Sequence, residues 1–409
     1  MTHQARWHET AKKWLRITFL CLFFVLAIMC ALFVLGAFFP SVPYVGLFGS
    51  LALSIFPGWV TLIALVVTIL LWSWGRRAVW RAGGAISLAA TLGGMFLLWG
   101  LAGVACKTSA CPTVAQTFGL TNTLAQIEPD EVVLYARDQG DDLTLRIFRP
   151  TGPRPAGGWP VYFHIHGGGW IGGSNAEQSA DMRWFADQGW LVISAGYSLS
   201  NEQRHLWDRV TAQLGCAMAW THANIGERGG NINRLALRGN SAGGNLALNV
   251  SYLANASKLP SICGGTTPRV RSVTAVYPGI DLHAIYENPH ALIGPEVRSM
   301  VTQYTGGSPQ DFPERYAAVN TATHITSAAP PTLMIVSEND HLVPLESMRR
   351  FASQVRAAGV EIKTADIPFA DHGFDLVGIG NEIARQAALQ FITAHDSDQV
   401  SGPNAGAHP

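Results

Sequence analysis

Charge is scarce in this chain. Only 14% of its 409 residues are Asp, Glu, Lys or Arg, and the two signs cancel to a formal net charge of zero. No basic stretch occurs beyond the flanks of the apolar N-terminal region, which argues against nucleic acid as a partner. Phosphate-cradling loops are missing as well: there is no Gly-x-x-x-x-Gly-Lys, and no dinucleotide fingerprint follows a strand. The six cysteines include no Cys-x-x-Cys, so neither a zinc ribbon nor a thioredoxin-like redox site is expected. No internal repeat stands out.

The scarcity of charge is concentrated at one end. No charged residue occurs from Ile17 to Gly75, and none from Ala82 to Cys106. Runs of this length exceed the roughly 20 apolar residues that cross a bilayer. They predict a membrane region, residues 1–106, with three transmembrane helices at about 17–39, 51–74 and 84–105. Pro40, Pro43 and Gly46 separate the first from the second, and Arg76, Arg77 and Arg81 the second from the third. The first run is too long for the apolar part of a signal peptide, and further spans follow it. Arg6, Lys12, Lys13 and Arg16 precede the first span, whereas the loop after it carries no basic residue. Because basic residues stay on the cytoplasmic side, the N-terminus is expected inside. Three crossings then place everything after Cys106 outside, in the periplasm if the cell is bacterial. An oxidising compartment would permit Cys106–Cys111 and Cys216–Cys263 bridges, one of three pairings open to these four cysteines, with free thiols the alternative. Cys21 and Cys30, in the first span, read as small apolar packing residues.

Past the membrane region the sequence changes to alternating strands and helices. Leu235-Ala-Leu-Arg238 leads into Gly239-Asn-Ser241-Ala-Gly243, and a helical stretch follows. A Gly-x-Ser-x-Gly pattern is common by itself, since glycine and serine make many turns. Between a strand and a helix it describes a nucleophile elbow, in which small residues allow a turn tight enough to expose the Ser241 hydroxyl. Upstream, a buried strand over 161–165 runs into His166-Gly167-Gly168-Gly169-Trp170. Glycines there free backbone amides to receive an anion. His164 and His166 form a His-x-His, but no third ligand has an obvious spacing, so no metal site is expected.

A serine hydroxyl needs a base, and the base an orienting acid. The apolar strand at Thr332–Ser337 ends in Glu338-Asn-Asp340-His341, and an alternating strand at 361–367 precedes Asp371-His372-Gly-Phe374. The order serine, acid, histidine selects Asp340 and His372. Glu338 is the nearest rival acid. Asp366, Asp371 and Asp375 stand too close to His372 in sequence to come from a separate loop. His341 and His324 are weaker candidates for the base.

His166-Gly-Gly-Gly-Trp170, Gly239-Asn-Ser-Ala-Gly-Gly-Asn245, Asp340 and Asp371-His372-Gly-Phe374 together resemble the α/β-hydrolase superfamily, and within it the hormone-sensitive-lipase-like esterases, over roughly residues 130–395. The resemblance implies an α/β fold with a mainly parallel sheet covered by helices on both faces. It also implies an oxyanion hole from the amides of Gly168, Gly169 and Ala242. The sequence departs from that branch at Asn240, where an acidic residue is often found, at Tyr197-Ser-Leu-Ser-Asn-Glu202, and around Asp340, which looks more like broader carboxylesterases. The expected reaction is ester cleavage through an acyl-enzyme, on a small or lipid-like acyl ester, with no metal or organic cofactor. The alternatives are a serine peptidase or amidase on the same fold, and a non-catalytic membrane-tethered binding protein. The hydrolase domain is expected over 107–395, with a possible cap at 279–329 and Trp170 either lining an acyl pocket or packing. Residues 396–409 read as a polar tail.

Overall fold

Apolar side chains cannot satisfy backbone amides, which a helix satisfies internally, and the uncharged runs fold as helices. A computed structural model describes residues 3–108 and 111–396. It opens with α1 (His3–Phe38), α2 (Val45–Ile55), α3 (Pro57–Trp74) and α4 (Ala78–Thr108). Among the described residues three helices, Trp7–Phe38, Pro57–Trp74 and Ala78–Thr108, are long and apolar enough to cross a membrane. The second expected span, 51–74, is divided. Pro57 stands at the start of α3, where its missing N–H costs nothing, and it drives Phe56 out of helical geometry to φ −126° and ψ 42°. Residues 51–55 therefore belong to α2, a separate short helix. It lies so close to α1 that a Cβ on Gly36 would stand 1.9 Å from the Val45 carbonyl oxygen, and one on Gly49 2.4 Å from that of Phe33.

A four-residue helix, α5 (Val114–Thr117), is closed by a reciprocal cap between Thr113 and Gln116. The sheet then begins with a hairpin, β1 (Glu131–Asp138) and β2 (Asp141–Phe148), and continues with β3 (Trp159–Ile165), α6 (Ser179–Asp187), β4 (Leu191–Ala195), α7 (Val210–Asn224), β5 (Gly230–Asn240), α8 (Ala242–Asn255) and β6 (Ser272–Val276). An insertion carries α9 (Leu282–Tyr286), α10 (Ile293–Thr305) and α11 (Pro313–Val319), and β7 (Thr332–Ser337), α12 (Leu345–Ala357), β8 (Ile362–Ile367) and α13 (Gly378–Ala394) follow. The eight strands form one sheet in the order β1-β2-β4-β3-β5-β6-β7-β8. Pairing is antiparallel among β1, β2 and β4 and parallel elsewhere. The central strands β4, β6 and β7 are buried along their whole length, as expected for a sheet covered on both faces. Both cysteine pairs named from the sequence are bridged, Cys106 to Cys111 and Cys216 to Cys263.

The helical bundle and the sheet share a packed boundary. Leu101 and Ala105 of α4 join Val276, Leu333, Ile335, Ile367 and Phe374 in one buried cluster. The Phe369 ring meets Phe38 and Phe96 edge to face, and Trp59 Nε1 donates to the Phe118 carbonyl at 2.8 Å. At the chain end, Asp396 accepts from Arg234 Nε at 2.8 Å; the rest of the tail read from the sequence, 397–409, lies outside the described residues.

The close α1–α2 approach gives a direct test. Gly49→Leu is expected to lower the melting temperature of the detergent-solubilised protein by several degrees, because its side chain has no room between two backbones. Gly103→Leu, at an exposed position of α4 with nothing nearby, is expected to leave it unchanged.

Candidate active site

The residues singled out for chemistry lie at the carboxyl ends of parallel strands, on loops or at the first turn of the following helix, where the sheet leaves backbone and side chains free to converge. Ser241 follows β5, the glycine loop follows β3, Asp340 follows β7 and His372 follows β8. The turn at Ser241 is as tight as its sequence suggests. Its backbone sits at φ 54° and ψ −121°, a region that non-glycine residues rarely occupy. Gly239 and Gly243 make this possible: a Cβ on the first would stand 2.0 Å from the Gly243 carbonyl oxygen, and one on the second 2.2 Å from that of Ile165.

The three side chains expected to act together do meet. His372 Nε2 lies 2.8 Å from Ser241 Oγ. Its Nδ1 lies 2.9 Å from Asp340 Oδ2 and 3.2 Å from Oδ1. With Nδ1–H donating to the carboxylate, Nε2 is left to accept the serine proton, the arrangement a general base requires. Asp340 is itself oriented, Oδ1 accepting the amides of Leu342 at 2.9 Å and Val343 at 2.8 Å. Burial alone would depress the His372 pKa, but the Asp340 carboxylate, with Asp371 and Asp375 nearby, raises it above its ordinary 6.5.

Gly168 and Gly169 take φ values of 106° and 59°, and the loop is closed by Ile171 and Gly172 amides donating to the Gly168 carbonyl. Tyr197 buttresses it from behind. Its hydroxyl donates to the carbonyls of His166 at 2.9 Å and Gly167 at 3.2 Å, and its ring stacks on His166. His166 Nδ1 is bonded to the Gly167 carbonyl, and burial holds its pKa down to about 4, so the ring is a neutral brace. His164 lies wholly buried beneath, held neutral by burial and by Arg238. Trp170 is a packing residue: it is buried and stacks on Tyr304 of α10 at 5.0 Å between ring centroids. Met300 of the same helix closes over Gly169, where a Cβ would stand 2.5 Å from its sulfur. Asn245 and Asn249 on α8 donate to the Val319 carbonyl and tie the insertion down beside the elbow. Ala242, whose amide is the third expected anion donor, begins α8 directly after Ser241.

The rivals sit elsewhere. Glu338 and Asp366 are exposed, and His324 bonds the Ala318 carbonyl within the insertion. His341 and Asp371 pair with each other at 2.6 Å. Asp375 belongs to a buried polar cluster under the elbow: it accepts from Asn240 and Tyr277 and lies 3.3 Å from the Arg238 guanidinium. Asp181 flanks the same guanidinium and takes two bonds from Asn381. Tyr277 lays its ring 4.4 Å from that of His372. Tyr197, Arg238 and Tyr277 belong to no motif that assigns them a part in the chemistry. Their only local signal is a place on a strand or strand end beside a named loop.

Comparison with known proteins agrees with this architecture. The BD-FAE family profile matches residues 145–355, from β2 through most of α12. The chain belongs to the BD-FAE family. Its sheet has the α/β-hydrolase fold. Ser241 and Asp340 fall inside the matched segment; His372 and the apolar helices fall outside it. Esterase LipC of Mycobacterium tuberculosis is 31% identical over 253 residues, 60% of each chain. The probable carboxylic ester hydrolase LipM of the same organism is 28% identical over 250 residues, 60% of this chain and 57% of that one. The chain thus spans about three-fifths of the length of these curated relatives. Among solved structures, a propionate-bound esterase from the Planctomycetes species Thermogutta terrifontis is 25% identical. It superposes with a TM-score of 0.52 over 64% of this chain and 92% of that one.

Asn240 supplies a test of the buried cluster. Asn240→Asp would set a second carboxylate against Asp375 in a buried site, a like-charge contact that disfavours ionisation of both. The variant is expected to lose about 3 kcal/mol of stability at neutral pH. Because such a pair has a raised folded-state pKa, the deficit shrinks as pH falls and one carboxyl is protonated. Thermal melts at about pH 5 and about pH 8 read the difference.

Proposed function

We propose that this protein is a membrane-anchored serine hydrolase that cleaves carboxylic esters through an acyl-enzyme. The observation that carries the reading is the unbroken line of hydrogen bonds from Ser241 Oγ through His372 to Asp340. His372 Nε2 takes the Ser241 proton as Oγ attacks the ester carbonyl, and Asp340 stabilises the imidazolium that forms. The amides of Gly168, Gly169 and Ala242 receive the oxyanion, each such donor being worth on the order of 10²–10³ in turnover. His372 then protonates the departing alcohol. A water molecule, deprotonated by the same ring, releases the acid and restores Ser241. The names of the related proteins support ester cleavage. The His-Gly-Gly-Gly loop and the Asn-Ser-Ala-Gly-Gly elbow favour the hormone-sensitive-lipase-like branch. The insertion at 279–329, packed on the glycine loop through Met300 and Tyr304, is suited to cap the site.

The reading extends to topology: N-terminus in the cytoplasm, sheet domain outside. Arg16 donates to the Trp74 carbonyl, so the basic end of α1 and the arginine turn before α4 share one end of the bundle. The sheet domain packs on the opposite end, at Ala37, Trp59 and Leu101. Two disulfides in the same part of the chain suit an oxidising compartment. Protease added to intact spheroplasts is expected to digest the sheet domain; digestion only after lysis contradicts the orientation.

Ser241→Ala, assayed in detergent on p-nitrophenyl esters from acetyl to long acyl chains, is expected to lower kcat/KM by at least about 10³-fold. Activity that survives the substitution would refute the mechanism. Since His372 works only as the free base and its pKa is raised, the acidic limb of kcat/KM should have its midpoint above pH 6.5, the ordinary imidazole value.

A further inference from the structure

The loops that carry the acid and the base are fastened to the membrane bundle by side chains outside the triad. Asp371, fully buried, uses Oδ1 to accept the His372 amide at 2.7 Å and the His341 amide at 3.0 Å. One carboxylate oxygen thereby pins the residue that bears the base and the residue next to Asp340. Its Oδ2 faces His341 Nδ1 at 2.6 Å. The other ring nitrogen, His341 Nε2, faces the Pro40 carbonyl at the end of α1, at 3.0 Å. From α2, Ser54 Oγ accepts the Asp371 amide at 2.6 Å. Beside it, Asn339 Nδ2 donates to the Ala37 carbonyl at 2.7 Å and to Ser50 Oγ at 3.1 Å.

Both nitrogens of His341 thus point at acceptors, one a carboxylate and one a carbonyl. A neutral imidazole has a single N–H and can serve only one of them; the imidazolium serves both. We propose that His341 is a positioning residue that, as an imidazolium, bridges the Pro40 carbonyl of the membrane bundle to the Asp371 carboxylate beneath His372, so that the bundle holds the base in line with Ser241. The inference rests on the esterase reading above and goes beyond it: the apolar helices are part of the active site's support as well as an anchor.

The surroundings of the ring favour the charged form. Asp371 faces it from the loop after β8, next to His372, and Asp340 from its own loop. His290, from the insertion, meets it edge to face at 5.3 Å between ring centroids. The turn from α1 to α2, Phe39–Tyr44, offers the Pro40 carbonyl and no charged side chain. Burial opposes the charge, and Asp371 and the Pro40 carbonyl outweigh it, so the His341 pKa lies above 6.5. The bridge is whole below that pKa and loses one of its two bonds as pH rises through it. The raised His372 pKa sets the acidic limb of activity, and His341 adds a decline on the alkaline side.

The test uses the full-length protein in detergent micelles, with p-nitrophenyl butyrate as substrate and kcat and KM measured across pH. His341→Gln is expected to lower kcat by roughly 10- to 100-fold, the scale on which a misplaced catalytic group acts. KM stays near the wild-type value, and the alkaline decline disappears while the acidic limb remains. Ser54→Ala removes the acceptor for the Asp371 amide without touching the titrating ring, so kcat falls and the alkaline decline is kept. A wild-type kcat and pH profile in His341→Gln overturns the proposal. If that variant does not fold, a wild-type kcat with no decline on the alkaline side overturns it instead. A wild-type protein no more active than Ser241→Ala overturns the esterase reading itself, an outcome read before any bridge variant is made.

Discussion

The backbone of Ser241 occupies a conformation that costs a non-glycine residue about 1–3 kcal/mol, and the chain around it is arranged to hold it there. Gly239 and Gly243 let the strand, the turn and the start of α8 approach to distances that any side chain would forbid. The Ser241 amide donates to the Val276 carbonyl at 2.9 Å, and the Gly279 amide donates back to the Ser241 carbonyl at 3.2 Å, so the end of β6 grips the turn from one side. On the other side the Ile165 and His166 carbonyls lie against Gly243, which fixes the elbow relative to the glycine loop. Nucleophile and candidate anion donors are therefore set by one packing arrangement of backbone. Placing His372 and Asp340 is a separate problem, solved by loops from the next two strands.

Two kinds of packing meet at this edge of the sheet. Beneath the elbow lies a buried polar cluster in which the Arg238 guanidinium is matched by Asp181 and Asp375, and the carboxylates by Asn240, Tyr277 and Asn381. Such a cluster is costly to break at any member, because the partner left behind is a buried charge without compensation. Against the same edge stands one end of an apolar bundle, whose contribution is mostly carbonyls and small hydroxyls: Ala37, Pro40, Ser50 and Ser54. These are the polar groups that remain at helix ends and on small side chains after a span has satisfied its own amides. Asn339, His341 and Asp371 meet them, which makes the boundary specific as well as apolar.

Much of this was legible in the sequence, for identifiable reasons. The elbow, the glycine loop and the order of Ser241, Asp340 and His372 are written in short spacings, because the chemistry demands particular residue types next to turns. The long apolar helices are written in the absence of charge. The break at Pro57 between α2 and α3 is not legible there, since apolar residues continue on both sides and hydropathy does not register a missing N–H. His341 and Asp371 were noticed only as rivals for base and acid. Their bond to each other, and to Pro40 and Ser54, joins segments that are distant in the chain and leaves no periodic trace. Nothing in the sequence decides between pocket and core for Trp170, because its stacking partner, Tyr304, comes from an insertion with no strong pattern of its own. Asn240 looked like a departure from a resembled motif; its partner Asp375 lies at the far end of the domain.

Ester cleavage by the proposed route passes through a covalent acyl group on Ser241 Oγ. Its most direct measurement is an acid quench of the full-length protein during turnover of a p-nitrophenyl ester, followed by peptide mass spectrometry. The account predicts one added acyl group, on the peptide that contains Ser241, accumulating as deacylation slows. Turnover with no acylated peptide, or with the acyl group on a different residue, would contradict it.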